Sequence, residues 1–82
     1  LKTIPPFFED VVSGAKPFEL RKNDRDFRVG DRLILHEYFP NIQAYSGLEY
    51  YTQITYILEN FPGIESGYAV LGLKKDEEND YR

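Results

Sequence analysis

The sequence predicts an α+β domain that is mainly β, a small β-barrel carrying one short N-terminal helix. Three observations lead there. One stretch, Phe7 to Val12, spaces its apolar residues as a helix does. Four later stretches, Phe18–Lys22, Arg32–Phe39, Leu48–Leu58 and Gly67–Leu73, alternate or are rich in Tyr, Thr, Ile and Val, as strands are. The segments between them hold Gly, Pro, Asn and Asp at uneven intervals, which suits a curled sheet more than a repeat. Curling also protects tyrosine-rich strands that would otherwise present exposed edges.

In order, Lys2–Ile4 reads as a short first strand. Pro5–Pro6 blocks its extension and suits a helix start. Phe7, Phe8, Val11 and Val12 follow at helical spacing, with Glu9 and Asp10 near the N-terminal end, where the helix dipole favours them. Gly14 is the expected left-handed cap. A helix of about two turns is unstable alone and must pack on the sheet. In Phe18–Lys22, alternation puts Phe18 and Leu20 on one face and Glu19 and Arg21 on the other. Asn23–Asp26 and Val29–Asp31 are turns, and Pro40–Asn41 ends the strand Arg32–Phe39. Residues 41–47 read as a loop holding Tyr45. Leu48–Leu58 is long for one strand, so a bulge is expected within it. Were it regular, Leu48, Tyr50, Thr52, Ile54, Tyr56 and Leu58 would share a face. The apolar run ending at Leu73 reads as a central strand. Residues 1–73 therefore make one domain, and residues 74–82 read as a charged, solvated tail.

Composition narrows the function. Eighty-two residues with ten basic and fourteen acidic side chains carry a net charge of -4, which disfavours indiscriminate binding to nucleic acid. The chain has no cysteine and a single histidine, His36, so neither a disulfide framework nor a thiolate or histidine zinc cluster is available. No metal and no cofactor are expected. The lack of disulfides reads as intracellular, hence cytoplasmic. No apolar run reaches the length of about eighteen residues that spans a membrane. Leu1–Ile4 is too short for a signal peptide before Pro5–Pro6.

Charge is unevenly placed. Residues 14–31 hold five of the ten basic side chains, Lys16, Arg21, Lys22, Arg25 and Arg28, with Glu19, Asp24, Asp26 and Asp31 among them. From Lys16 to Arg28, five basic side chains stand against three acidic ones, a local +2. Such a patch suits phosphates. Lys16 is read either as a phosphate contact or as a solvated loop lysine. Glu19 and Arg21 share a strand face, and either read a base edge together or form an internal ion pair that orders the barrel mouth. Lys22, Asn23 and Arg25 either line a basic loop or serve the turn. Arg28 and Arg32 either extend the patch or are solvated. His36 and Glu37 are the candidates for acid–base work, against a structural role for a lone histidine. Tyr45, Tyr50, Tyr51, Tyr56 and Tyr68 are candidates for base stacking, and Tyr45, in a loop with Ser46 and Gly47, is the one expected to be exposed and to touch a ligand.

Gly14-Ala15-Lys16-Pro17-Phe18-Glu19-Leu20-Arg21 fits the pattern G-x-K-x-x-E-x-R and resembles the signature of ASCH domains (activating signal cointegrator homology), within the PUA-like superfamily. Lys22–Phe27, Val29–Asp31, Leu33–Tyr38, Tyr45–Gly47, Ile54–Leu58 and Gly67–Leu71 resemble a small bacterial and prophage-associated branch of that group, so the likeness covers residues 1–73. The resemblance implies a PUA-like barrel with the helix beside its opening. It also implies a cleft lined by the motif's charged residues, Lys16, Glu19 and Arg21, that binds RNA or a modified nucleotide; with the residue reading above, Lys22, Asn23, Arg25 and Tyr45 complete the expected binding site. Some ASCH proteins resemble amidohydrolases of acetylated cytidine; their motif has threonine where this chain has Glu19. The alternatives are a nucleoside-modifying enzyme using Lys16 and Glu19, with His36 as a further acid–base group, and a module that grips a protein partner.

Overall fold

The structure, a computed structural model, describes residues 1–77. Its elements in chain order are β1 (Lys2–Thr3), α1 (Phe7–Ser13), β2 (Phe18–Lys22), β3 (Arg32–Phe39), β4 (Ala44–Leu58) and β5 (Tyr68–Lys75). Among the described residues the strands form one sheet in the order β1-β3-β4-β5-β2. Only β1 and β3 run parallel; the other pairs are antiparallel. The sheet curls into a half-barrel, so the fold is α+β and mainly β. The ladder does not close by backbone pairing, because β1 and β2 are both edges.

The core lies inside the curl. Leu35, Ala69 and Leu71 are wholly buried, and Ile54, Leu33 and Leu73 nearly so. Of the four apolar residues of α1, Phe8 and Val11 enter this core, while Phe7 and Val12 stay exposed. The helix ends where Gly14 takes φ +89°, a region that glycine enters without penalty, and its N–H donates to the Val11 carbonyl at 3.1 Å. Phe27, from the loop after β2, fills the remaining core space.

Two boundaries differ markedly from the sequence reading. The β4 strand starts at Ala44, not Leu48, so Tyr45 is a strand residue rather than a loop residue. It pairs with Tyr38, and the surplus residues Ser46–Leu48 form an outward irregularity before Glu49 pairs with His36. Polar residues and glycine there look like loop chemistry, yet the pairs on either side, at Tyr45 and Glu49, keep the segment within the strand. The β5 strand runs on to Lys75, and Asp76 is buried with its carboxylate 3.3 Å from Arg32 Nε. The tail read as starting at residue 74 therefore starts as strand; residues 78–82 lie outside the described residues. The middle strand of the five is β4, with β5 beside it.

The bulge expected in β4 falls at Thr55, where register jumps from Ile54↔Leu73 to Tyr56↔Gly72. One extra residue flips every later side chain to the other face. Tyr56 is therefore exposed, and Ile57 packs on the core in its place. Gly72 makes room for this: a Cβ there would lie 2.9 Å from Thr55 Oγ1 and 3.3 Å from Tyr56 Cβ.

Candidate functional site

The seam between the two edge strands opens into a groove of about 580 Å³. β1 supplies Lys2 and Thr3 with Ile4 just after it, β2 supplies all five of its residues, and Phe7 of α1, Lys16 before β2 and Tyr68 of β5 complete the wall. The helix therefore stands beside the opening, as expected.

At the centre is Glu19. Its partner in β5 is Leu71, and Arg21 pairs with Ala69; both partners are fully buried, so Glu19 and Arg21 point inward. Phe18 and Leu20 point outward and are exposed, the reverse of the usual hydrophobic alternation. A carboxylate this buried requires partners. Lys16 Nζ donates to Glu19 Oε1 at 2.5 Å, and Arg21 Nε donates to Glu19 Oε2 at 3.3 Å. Arg21 reaches across the seam as well, its Nη2 donating to the Lys2 carbonyl. One side chain thus ties β2 to β1 where no backbone ladder does.

Gly14 explains how Lys16 arrives. The left-handed cap reverses the chain, and the Lys16 N–H donates back to the Asp10 carbonyl at 2.9 Å. Lys16 Nζ then donates to the Phe18 carbonyl at 2.9 Å and lies 5.3 Å and 5.0 Å from the ring centroids of Phe7 and Phe18. The spacing G-x-K-x-x-E-x-R is thereby a geometric device: glycine turns the chain, lysine and arginine hold the glutamate from two sides, and arginine spans the seam.

The structure brings Lys16, Glu19, Arg21 and Lys22 together and leaves Asn23, Arg25, Arg28, His36 and Tyr45 off the groove. Asn23 serves its loop: Oδ1 accepts from the Phe27 N–H at 3.1 Å, and Nδ2 donates to Glu59 Oε1 at 3.2 Å. Arg25 is exposed and does not line the groove. Arg28 turns to Asp26 at 2.9 Å, and that hydrogen bond with its accompanying charge raises the guanidinium pKa above its ordinary value. Tyr45 sits on the outer face of β4, edge-on to Tyr38, with ring centroids 4.9 Å apart. His36 is beside it, its Nδ1 3.6 Å from Glu49 Oε2, and does not join Lys16 and Glu19. Tyr51 donates to Glu49 Oε1 at 3.2 Å, which raises its phenol pKa.

Sequence reasoning missed Lys2, Phe7 and Phe18 as groove residues. Lys2 carried no signal, because β1 meets the site only through parallel pairing with β3. Among the described residues, no group of three or more His, Cys, Asp or Glu is placed to hold a metal ion. Nor is any helix there long and apolar enough to cross a membrane.

Fold and site define a small α+β half-barrel with a charged, aromatic-walled groove at its seam. Residues 1–73 match the model of a domain of unknown function, DUF3850, and the chain belongs to that family. It is also similar to the uncharacterized 12.9 kDa protein in the GpA 3' region of Escherichia phage P2, with 44% identity over 36 residues. That match covers 44% of this chain and 33% of the phage protein, so the chain spans about a third of that relative's length.

Proposed function

We propose that this domain binds single-stranded RNA, or one nucleotide of it, in the seam groove. The observation that carries the reading is the convergence of Lys2, Lys16, Arg21 and Lys22 on one groove with the rings of Phe7, Phe18 and Tyr68. Four positive charges against Glu19 leave +3 at this point, in a chain whose net charge is -4. Ammonium and guanidinium groups suit phosphates, and aromatic rings suit the faces of bases. The volume is that of a small-ligand site. The seven-residue α1 sends Phe8 and Val11 into the core, so it is not a helix free to enter a duplex groove. The reading is therefore of unpaired nucleotides. The likeness of Gly14–Arg21 to the ASCH motif supports the same ligand class, and a cytoplasmic setting goes with it.

Glu19 in this reading is a positioning residue. Both of its oxygens already accept, from Lys16 and from Arg21, so it aims two cations instead of reading a base edge. The enzyme reading is weaker, because His36 lies off the groove and Lys16 and Glu19 stand without it.

The test uses the exposed cation Lys22, which no ion pair among the described residues holds in place. Binding of a labelled single-stranded RNA is followed by fluorescence anisotropy at several salt concentrations. Two to three phosphate contacts give a log–log salt slope of about -2, and Lys22→Glu lowers both affinity and slope, the slope by about one contact's share. RNA affinity unchanged in a folded Lys2→Glu/Lys22→Glu protein removes the groove from consideration. A partner captured from lysate that survives nuclease treatment would point to a protein ligand instead.

A further inference from the structure

The groove does not account for the aromatic cluster on the outer face. There, three adjacent strands bring Lys2, His36, Tyr38 and Tyr45 together. Lys2 pairs in register with His36, and Tyr38 with Tyr45. The Tyr38 and Tyr45 rings meet at 63° and the His36 and Tyr45 rings at 79°, with centroids 4.9 Å and 6.0 Å apart. Both contacts are edge-on. They fix the orientation of Tyr45 without stacking on it, and Tyr45 stays 55% exposed. A large ring held in place but left uncovered is what base stacking uses.

Lys2 joins this cluster to the groove. It lines the groove, and its Nζ lies 4.4 Å from the centroid of the Tyr38 ring. β1 is two residues long, so the wall between groove and cluster is low. From β1 to β4 is two strand spacings, about 10 Å, beyond the reach of a ligand confined to the groove. Glu49, 3.6 Å from His36, borders the far side of the cluster. A stacked base tolerates a nearby carboxylate where a phosphate does not.

We propose that a single-stranded nucleic acid leaving the groove crosses β1, sets a phosphate on Lys2 and stacks its next base on Tyr45. The inference rests on the groove reading and sharpens it: the ligand is an oligonucleotide, and a mononucleotide occupies only part of the site.

The experiment compares adenosine monophosphate with an oligoadenylate hexanucleotide, titrated against the full chain and followed by nuclear magnetic resonance and anisotropy. Tyr45→Ala weakens hexanucleotide binding about tenfold, the loss of one stacked base, and leaves mononucleotide binding as it was. Tyr45→Leu, which keeps the strand covered but has no aromatic face, shows the same loss, and Tyr45→Phe retains binding. Hexanucleotide affinity unchanged in Tyr45→Ala, with Lys22→Glu still weakening it, overturns the platform and leaves the groove standing. Equal loss in Tyr45→Phe and Tyr45→Ala also overturns it, because stacking is then not the cause. A wild-type protein that binds neither ligand overturns both readings.

Discussion

Glu19→Gln keeps the size and shape of the side chain and removes its charge. In the native protein Lys16 Nζ is 2.5 Å from one carboxylate oxygen and Arg21 Nε is 3.3 Å from the other. An amide offers one acceptor and one donor, so whichever way it turns, one cation faces an N–H₂ group. Breaking a fully buried ion pair costs about 3–5 kcal/mol. Here the Lys16 and Arg21 side chains remain 19% and 26% exposed, and water recovers part of that loss. The expected cost is therefore about 2 kcal/mol. A domain of this length is stable by about 4–12 kcal/mol, so the loss is a large share. It corresponds to a fall in Tm of about 8–16 °C. Urea titration followed by circular dichroism and by tyrosine fluorescence measures it; the seven tyrosines without tryptophan make the second signal usable. Lys16→Met leaves Glu19 paired with Arg21 and should cost less than Glu19→Gln. A Glu19→Gln protein within about 0.5 kcal/mol of wild type would refute the reasoning, because such a loss is that of a solvated surface pair.

Two further outcomes concern the elements that frame the groove. Gly72→Ala drives a methyl group to 2.9 Å from Thr55 Oγ1 at the β4 bulge and should destabilise the domain by about 1–3 kcal/mol in the same urea assay. Restoring stability with Thr55→Gly in the same chain would trace the effect to that contact. Asn23→Ala removes the acceptor of the Phe27 N–H and the donor to Glu59. It should cost about 1–2 kcal/mol and speed amide exchange at Phe27, while salt-dependent RNA binding per folded molecule stays the same.

The seam gives these energies their functional sense. A fully paired barrel would have no opening beside β2. Here β1 is two residues long and the last link is a side chain, so Arg21 both holds the wall and faces the groove. On the proposed reading, stability and ligand contact are coupled at Lys16 and Arg21. The exposed Lys2 and Lys22 are therefore the cleaner probes of binding, and Glu19 is the cleaner probe of closure.

Much of the fold was legible because its signals are local. Helical spacing in Phe7–Val12 and the glycine at position 14 set α1 and its end. Alternation set β2 and β3 to the residue. The excess length of the fourth strand announced a bulge, though not where it falls or that it would turn Tyr56 outward. The G-x-K-x-x-E-x-R spacing picked out three residues that line the groove, Lys16, Glu19 and Arg21, since the turn at Gly14 and the alternation of β2 are themselves local. What alternation cannot state is which of two faces meets the core. Hydrophobicity alone would bury Phe18 and Leu20; pairing with Leu71 and Ala69 turns Glu19 and Arg21 inward instead, and a pair of cations makes that burial tolerable. Asn23, Arg25 and Tyr45 lie near the motif or share its chemistry, but the curl of the sheet decides their distance from the groove. The parallel pairing of β1 with β3, residues more than thirty positions apart, creates the seam and brings in Lys2. No short-range pattern encodes that contact, because its driving force is the closing of the core by the whole chain.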